Sequence, residues 1–121
     1  MATESDLRRI ALALPGTTEE PWYGTPGYKV AGRGFLRLRS EAEGGWVVFV
    51  ADLGEKQSLL EGDPRTFFTV PHYDGHPCVL LRLAEVGLEE LTELVTESWR
   101  LKAPVRLRQT FDAGPQQDAP L

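Results

Sequence analysis

The sequence has little that a secreted, membrane-bound or disulfide-stabilised protein would need. Its single cysteine, Cys78, cannot form an internal disulfide and is typical of a reducing compartment. Its longest apolar runs, 46–51 and 78–81, are far shorter than a membrane span. The N-terminal stretch MATESDLRR lacks the apolar core of a secretory signal. These absences predict a cytoplasmic protein with no membrane partner.

Positive charge is also in deficit. The 121 residues carry a formal net charge of −5, whereas proteins dedicated to duplex DNA usually present a strongly basic surface, because neutralising phosphates releases counterions. The cations that are present include two groups, one of Arg33, Arg37 and Arg39 and one of Arg100, Lys102, Arg106 and Arg108. A local basic surface on an acidic protein is therefore compatible with the sequence.

Complete catalytic and cofactor signatures are missing as well. No Gly-rich stretch is followed by Lys-Ser or Lys-Thr, as a Walker loop requires, and GxGxxG does not occur. No pair of carboxylates stands out from the general acidity. We therefore predict a non-catalytic protein with no resident metal or cofactor.

What is present predicts a single α+β domain over residues 1–111, followed by a flexible C-terminal tail over 112–121 that is rich in Pro, Gln and Asp. Apolar spacing predicts helices over 6–14 (capped by Thr3), 52–61 (capped by Asp52) and 87–102, with a further short element at 105–111. Strands are predicted over 17–21 at a sheet edge, 28–31, 35–39, 46–51, 67–70 and 79–83. This order indicates an antiparallel sheet with the two terminal-side helices packed on one face.

Alternation along the predicted strands leaves the other face of the sheet solvated. Phe35, Arg37 and Arg39 alternate with two leucines that face the core. Arg82 alternates with apolar core positions in the same way, so we expect it to join the arginines on an open sheet face. Gly32-Arg33-Gly34 is interpreted as the hairpin turn that precedes this strand.

The densest cluster of special side chains lies in the stretch TVPHYDGHPC, residues 69–78, immediately before a core strand. Asp74-Gly75 between two prolines predicts a tight turn, and such anchored loops often carry function. In the turn-rich stretch 22–27, aromatic side chains either mark a contact surface or fold back over the core. The candidate ligand or partner residues are Trp22, Tyr23, His72, Tyr73, Asp74 and His76.

Two chemical interpretations of this loop, a metal site and a nucleophile with its base, have less support than a purely structural role. The spacing HxDxH would let His72, Asp74 and His76 converge on a metal only in an extended segment, which the predicted turn opposes. Cys78 and a nearby histidine have the composition of a nucleophile and its base. A cysteine that opens an apolar strand, however, usually acts as a small buried hydrophobe.

Three segments follow one another along the chain: Tyr28 to Leu36 (YKVAGRGFL), Pro71-His72-Tyr73, and Leu88 to Pro104 with its SWRLxAP-like end. In their order and spacing they resemble the MmcQ/YjbR family. The resemblance extends to about Phe111 and implies a CyaY-like (frataxin-like) α+β fold. Members of the family are commonly labelled DNA-binding proteins. The resemblance implies no set of catalytic residues for this chain. The frataxin likeness suggests iron binding by an acidic first helix, but this helix offers only Glu4 and Asp6.

We therefore predict DNA binding through the open sheet face. The expected phosphate contacts are Lys29, Arg37, Arg39 and Arg82, and the expected stacking groups are Trp22, Tyr23 and Tyr73. The alternative is a module that binds a small molecule or a protein through the 72–78 loop and has no role with nucleic acid. An enzymatic function ranks third among these hypotheses.

Overall fold

A computed structural model describes residues 2–22, 24–39 and 45–113, with only the backbone of Trp22. The helices are α1 (Glu4–Leu12), α2 (Leu53–Gly62), α3 (Leu88–Lys102) and α4 (Val105–Ala113). The strands are β1 (Thr17–Trp22), β2 (Thr25–Val30), β3 (Arg33–Leu38), β4 (Gly45–Phe49), β5 (Phe67–Phe68) and β6 (Cys78–Arg82). None of the helices in these ranges has the length and apolar character that crossing a bilayer requires.

The strands form one antiparallel sheet in the order β1-β2-β3-β4-β6-β5. This confirms the predicted α+β class and the edge position of the first strand. The central position of β4 explains its continuous apolar sequence, because both of its faces are covered. α4 extends to Ala113, two residues beyond the expected domain end at 111, and the rest of the predicted tail, 114–121, lies outside the described residues.

The helices pack on one face of the sheet, as predicted. Thr3 and Asp6 form a capping box at the start of α1, which begins two residues earlier than expected. Leu7 of α1 and Leu91 and Trp99 of α3 are fully buried in the main core against the sheet. α2 and α4 pack against the same core through partly buried residues, namely Leu59, Leu60, Leu107 and Phe111.

The opposite face of the sheet is less open than the alternation indicated. Val47, Cys78 and Leu80 are buried there in a second cluster, which is covered in part by Val70 and Tyr73. The segment between β5 and β6 folds back over this end of the sheet and brings the tyrosine with it. Only the remainder of the face is accessible.

A bulge in β3 corrects the predicted direction of Phe35. Tyr28 pairs with Leu36 and Lys29 pairs with Gly34, so Phe35 is the extra residue between these pairs. Its side chain therefore turns to the helical side and is fully buried in the main core. The prediction that Phe35 shares a face with the arginines was wrong.

Two predicted turns also differ from the structure. The hairpin between β2 and β3 turns at Ala31 and Gly32, which have φ of 50° and 80°, one residue before the expected Gly-Arg-Gly position. This two-residue turn matches the twist of the flanking strands. In the stretch 22–27, which was predicted to be rich in turns, Trp22 belongs to β1 and residues 25–27 belong to β2, with Trp22 paired with Thr25.

Candidate ligand-binding face

Four cations lie on the sheet face opposite the helices, and we call Lys29, Arg37, Arg39 and Arg82 the basic face. Arg37 is paired with Val47 of β4, which in turn is paired with Leu80 of β6, so all three side chains share this side. Lys29 lies between two buried residues that face the main core and so projects the other way. Arg82 continues the alternation of β6 beyond Leu80. The register thus places all four predicted phosphate contacts on one side of the sheet.

Tyr73 lies at the covered end of this face. The Arg39 guanidinium carbon lies 5.2 Å from the centroid of the Tyr73 ring, which is a cation–π distance. The tyrosine packs on the second cluster and is only partly exposed. A cation and a flat ring are therefore held side by side.

Lys29 and Arg82 also contact neighbouring groups. Lys29 Nζ lies 3.8 Å from Glu20 Oε1 across β1 and β2, so this end of the face is partly neutralised. Arg82 Nη1 donates to the carbonyl oxygens of Pro64 and Arg65 at 3.2 and 3.0 Å, and its guanidinium lies 4.2 Å over the Phe68 ring. Arg82 therefore holds the turn before β5 as well as adding charge.

The 72–78 loop is compact and not extended. Pro71–Tyr73 forms a 3₁₀ turn, and Gly75 takes a positive φ of 77° in the following turn. His72 and His76 both contact the Tyr73 ring edge-on, with ring centroids 4.9 and 6.5 Å away. Asp74 is exposed between them.

This geometry does not support the reactive interpretations of the loop. Within the described ranges, no three His, Cys, Asp or Glu side chains are grouped so that they could hold a metal ion, because the two turns break the alternation that HxDxH would need. Cys78 is buried, and burial raises the pKa of its thiol, an effect that nearby Lys56 and Lys102 only partly oppose. A buried thiol with a raised pKa is a poor nucleophile.

Lys56 was not predicted, and it determines where the loop lies. Its side chain is buried against the loop, and its ammonium donates to the carbonyl oxygens of Tyr73 at 2.7 Å and His76 at 2.9 Å. A signal was available in the sequence: Lys56 precedes Leu59 and Leu60 by three and four residues, which places it on the apolar side of α2.

The acidic residues responsible for the negative charge include a cluster on the helical side. α2 and α3 enclose a groove of about 450 Å³ with a partly apolar floor. Its lining consists of Glu55, Leu59, Glu90, Glu93, Leu94 and Glu97. This acidic groove lies on the opposite side of the sheet from the basic face.

The predicted aromatic residues at the other end of the sheet are only partly described. Trp22 lies at the end of β1, next to the hairpin that leads into β2, and the structure describes its backbone alone. Tyr23 lies outside the described residues. Their predicted role in stacking stays a prediction.

Comparisons with known proteins agree on one family. The YjbR family model matches residues 12–101. The uncharacterized proteins Rv2570 of Mycobacterium tuberculosis and Mb2600 of Mycobacterium bovis are each 39% identical over 127 residues, covering 94% of this chain and 98% of the relative. The crystal structure of Deinococcus radiodurans protein DR2400, with the domain DUF419, gives a TM-score of 0.70 at 25% identity over 84% of this chain and 78% of that chain. The matched range includes the whole sheet and the 72–78 loop.

Proposed function

The chain belongs to the YjbR family, and we propose that it binds DNA, without catalysis, through the basic face and the adjoining 72–78 loop. The observation that carries this proposal is the grouping of four cations on the side of the sheet without helices. Four cations project from the side without helices, whereas a cluster of glutamates lies between α2 and α3 on the other. An anionic polymer that approaches the sheet meets mainly positive charge.

The net charge of −5 does not oppose this mode of binding at physiological salt. Charges in solution are screened over about 8 Å at 0.15 M ionic strength, so a bound phosphate interacts mainly with the side chains nearest to it. The helical glutamates are separated from the basic face by the sheet and the main core. The local sign of the surface therefore governs affinity more than the total charge does.

Each part of the face has its own role in the proposal. Arg37 and Arg39 are two residues apart on β3, about 7 Å along the strand, and contact successive phosphates. Lys29 adds a third cation on the neighbouring strand. Tyr73, held beside Arg39, offers a ring on which an unpaired base stacks without sequence preference. Arg82 contributes charge while its guanidinium secures the turn before β5.

Fluorescence anisotropy with labelled duplex and single-stranded DNA tests the proposal at low and moderate salt. We expect salt-sensitive binding by the wild type and at least a tenfold loss of affinity in the Arg37→Gln/Arg39→Gln variant. If both arginines contact phosphates, the slope of log affinity against log salt falls by about 0.9 per contact on duplex or about 0.7 on single strands. The matched control is Arg9→Gln/Arg106→Gln, which changes the net charge equally at exposed helical positions.

Two results would contradict the proposal. One is the absence of binding at low salt, where electrostatic attraction is strongest. The other is an equal loss in the basic-face variant and the helical control, because it would show attraction to total charge alone. The first result is the one predicted by the alternative function, a small-molecule or protein partner at the 72–78 loop with no retention of the protein on DNA.

A further inference from the structure

Two basic groups that are distant in the sequence meet at the end of the sheet. Because of the bulge at Phe35, Arg33 is paired with Val30 and lies on the helical side, unlike the arginines that follow it on β3. Its Nη1 donates to the carbonyl oxygen of Lys102, at the C-terminus of α3, across 3.3 Å. This bond fixes the Arg33 guanidinium next to the last turn of the helix.

The Lys102 side chain is also held in place. Its ammonium nitrogen lies 4.1 Å from the centroid of the Phe49 ring, at the end of β4, and its side chain is only partly exposed. Burial and, after it, the nearby positive charge of Arg33 lower the pKa of Lys102. The Arg33 guanidinium and the Lys102 side chain are thus both held at the C-terminal end of α3.

Arg33 and Lys102 differ from three cations on α1 and α3 in having no ion pair among the described residues. Arg8, Arg9 and Arg100 each form an ion pair with a carboxylate at 2.9 Å or less. No carboxylate in the described part of the chain lies within ion-pairing distance of Arg33 or Lys102. Arg33 and Lys102 thus carry two positive charges at the end of α3 that no described carboxylate neutralises, in a protein with more acidic than basic residues.

We propose that Arg33 and Lys102 form a binding site for a phosphate group, shared between the guanidinium and the ammonium. The fork of an arginine accepts two phosphate oxygens, and a lysine adds a compact charge beside it. The phosphate belongs either to a nucleic-acid backbone, which would extend the basic face around the end of the sheet, or to a small phosphorylated molecule. The site itself does not depend on the proposed DNA binding.

Lysine NMR tests the site with inorganic phosphate as the probe. The chain has three lysines, Lys29, Lys56 and Lys102, so their ¹³Cε signals can be assigned by substitution. At constant ionic strength maintained with chloride, we expect phosphate to shift the Lys102 signal saturably and to raise its pKa. In Arg33→Gln the dissociation constant should rise about tenfold, whereas Arg9→Gln, at an exposed position of α1, should leave it unchanged.

Controls separate a binding role from a structural one. Arg33→Lys keeps the charge and should retain part of the affinity, while the melting temperatures of all variants are compared without phosphate. The absence of a saturable shift would overturn the site, and so would equal affinity in wild type and Arg33→Gln.

The source of the phosphate is distinguished by competition. An unlabelled single-stranded oligonucleotide that displaces phosphate from Lys102 identifies a nucleic-acid backbone as the ligand. An oligonucleotide that leaves the Lys102 signal saturated with phosphate identifies a small phosphorylated molecule. The two proposals can also fail separately. If phosphate binding persists in the Arg37→Gln/Arg39→Gln variant and the wild type does not bind DNA, the Arg33–Lys102 site stands and the proposed function is rejected.

Discussion

The ammonium of Lys56 donates a hydrogen bond across 2.7 Å to the carbonyl oxygen of Tyr73, on a loop that follows it by 17 residues. A second bond reaches His76 at 2.9 Å, so a single buried cation fixes both ends of the turn. The tyrosine ring beyond that carbonyl covers the second cluster and contacts Arg39. The position of the candidate site thus depends on a side chain of α2 that contacts no part of the basic face itself.

Replacement of this lysine should loosen the loop. Lys56→Met keeps the aliphatic stem but leaves two carbonyls without their donor, so the free energy of unfolding should fall by about 1–3 kcal/mol. Urea denaturation measures this loss, and hydrogen exchange should accelerate over 73–77. Gln57→Met, at the exposed neighbouring position, should change neither. A Lys56→Met protein with unchanged exchange in the loop would show that the ammonium does not hold it.

The hairpin between β2 and β3 can be made more stable. Ala31 has φ of 50°, and a left-handed conformation costs an ordinary residue about 1–2 kcal/mol, whereas Asn adopts it readily. We expect Ala31→Asn to raise the free energy of unfolding by about 0.5–1 kcal/mol. Ala84→Asn serves as the control, because that exposed alanine has no positive φ. Equal changes at the two positions would exclude the backbone conformation as the cause.

The stability of the protein should decrease at alkaline pH because of the Cys78 thiol. Burial raises the pKa of its thiol above the unfolded value of about 8.5. The contribution of the protonated thiol is therefore complete below about pH 8.5 and is lost as pH rises towards the folded pKa. In urea titrations from pH 7.5 to 9.5, the difference in free energy of unfolding between wild type and Cys78→Ala should narrow. Parallel pH profiles of the free energy of unfolding in the two proteins would mean that folding does not shift the pKa of the Cys78 thiol.

Much of the fold could be predicted from the sequence because its elements depend on local pattern. The stripe that includes Leu91 and Trp99 has helical spacing, and the continuous apolar run of β4 has the length of a strand and not of a helix. The capping residues Thr3 and Asp52 act within one turn of themselves. Such signals do not require knowledge of the rest of the chain.

The candidate site was harder to predict because its geometry depends on contacts between distant segments. The cation positions followed from alternation, but the bulge at Phe35 reverses the pleat and moves Arg33 to the opposite side. Nothing local to Tyr73 indicates that Lys56 will bind its carbonyl. Likewise, Lys102 could be assigned to the end of a helix, but its approach to Phe49 requires the packing of α3 against the sheet.

Ser98 connects β3 and β4 at the bulged residue Phe35. The register of β3 and β4 ends at Leu36 and Val48, and the next pair would be Phe35 and Phe49. Instead, the Ser98 hydroxyl accepts from the Phe49 N–H at 2.9 Å and donates to the Phe35 carbonyl at 2.5 Å. A side chain of α3 therefore bridges the two strands where their own ladder stops.

Ser98→Ala removes this bridge and leaves a donor and an acceptor buried beside each other. We expect the free energy of unfolding to fall by about 1–3 kcal/mol, since a buried polar group without a partner loses its solvation. Thr92→Ala is the matched control: its hydroxyl bonds only to the Leu88 carbonyl of the same exposed helix face, so the change should stay within about 0.5 kcal/mol. Equal and small effects would mean that β3 and β4 close directly when the serine is absent.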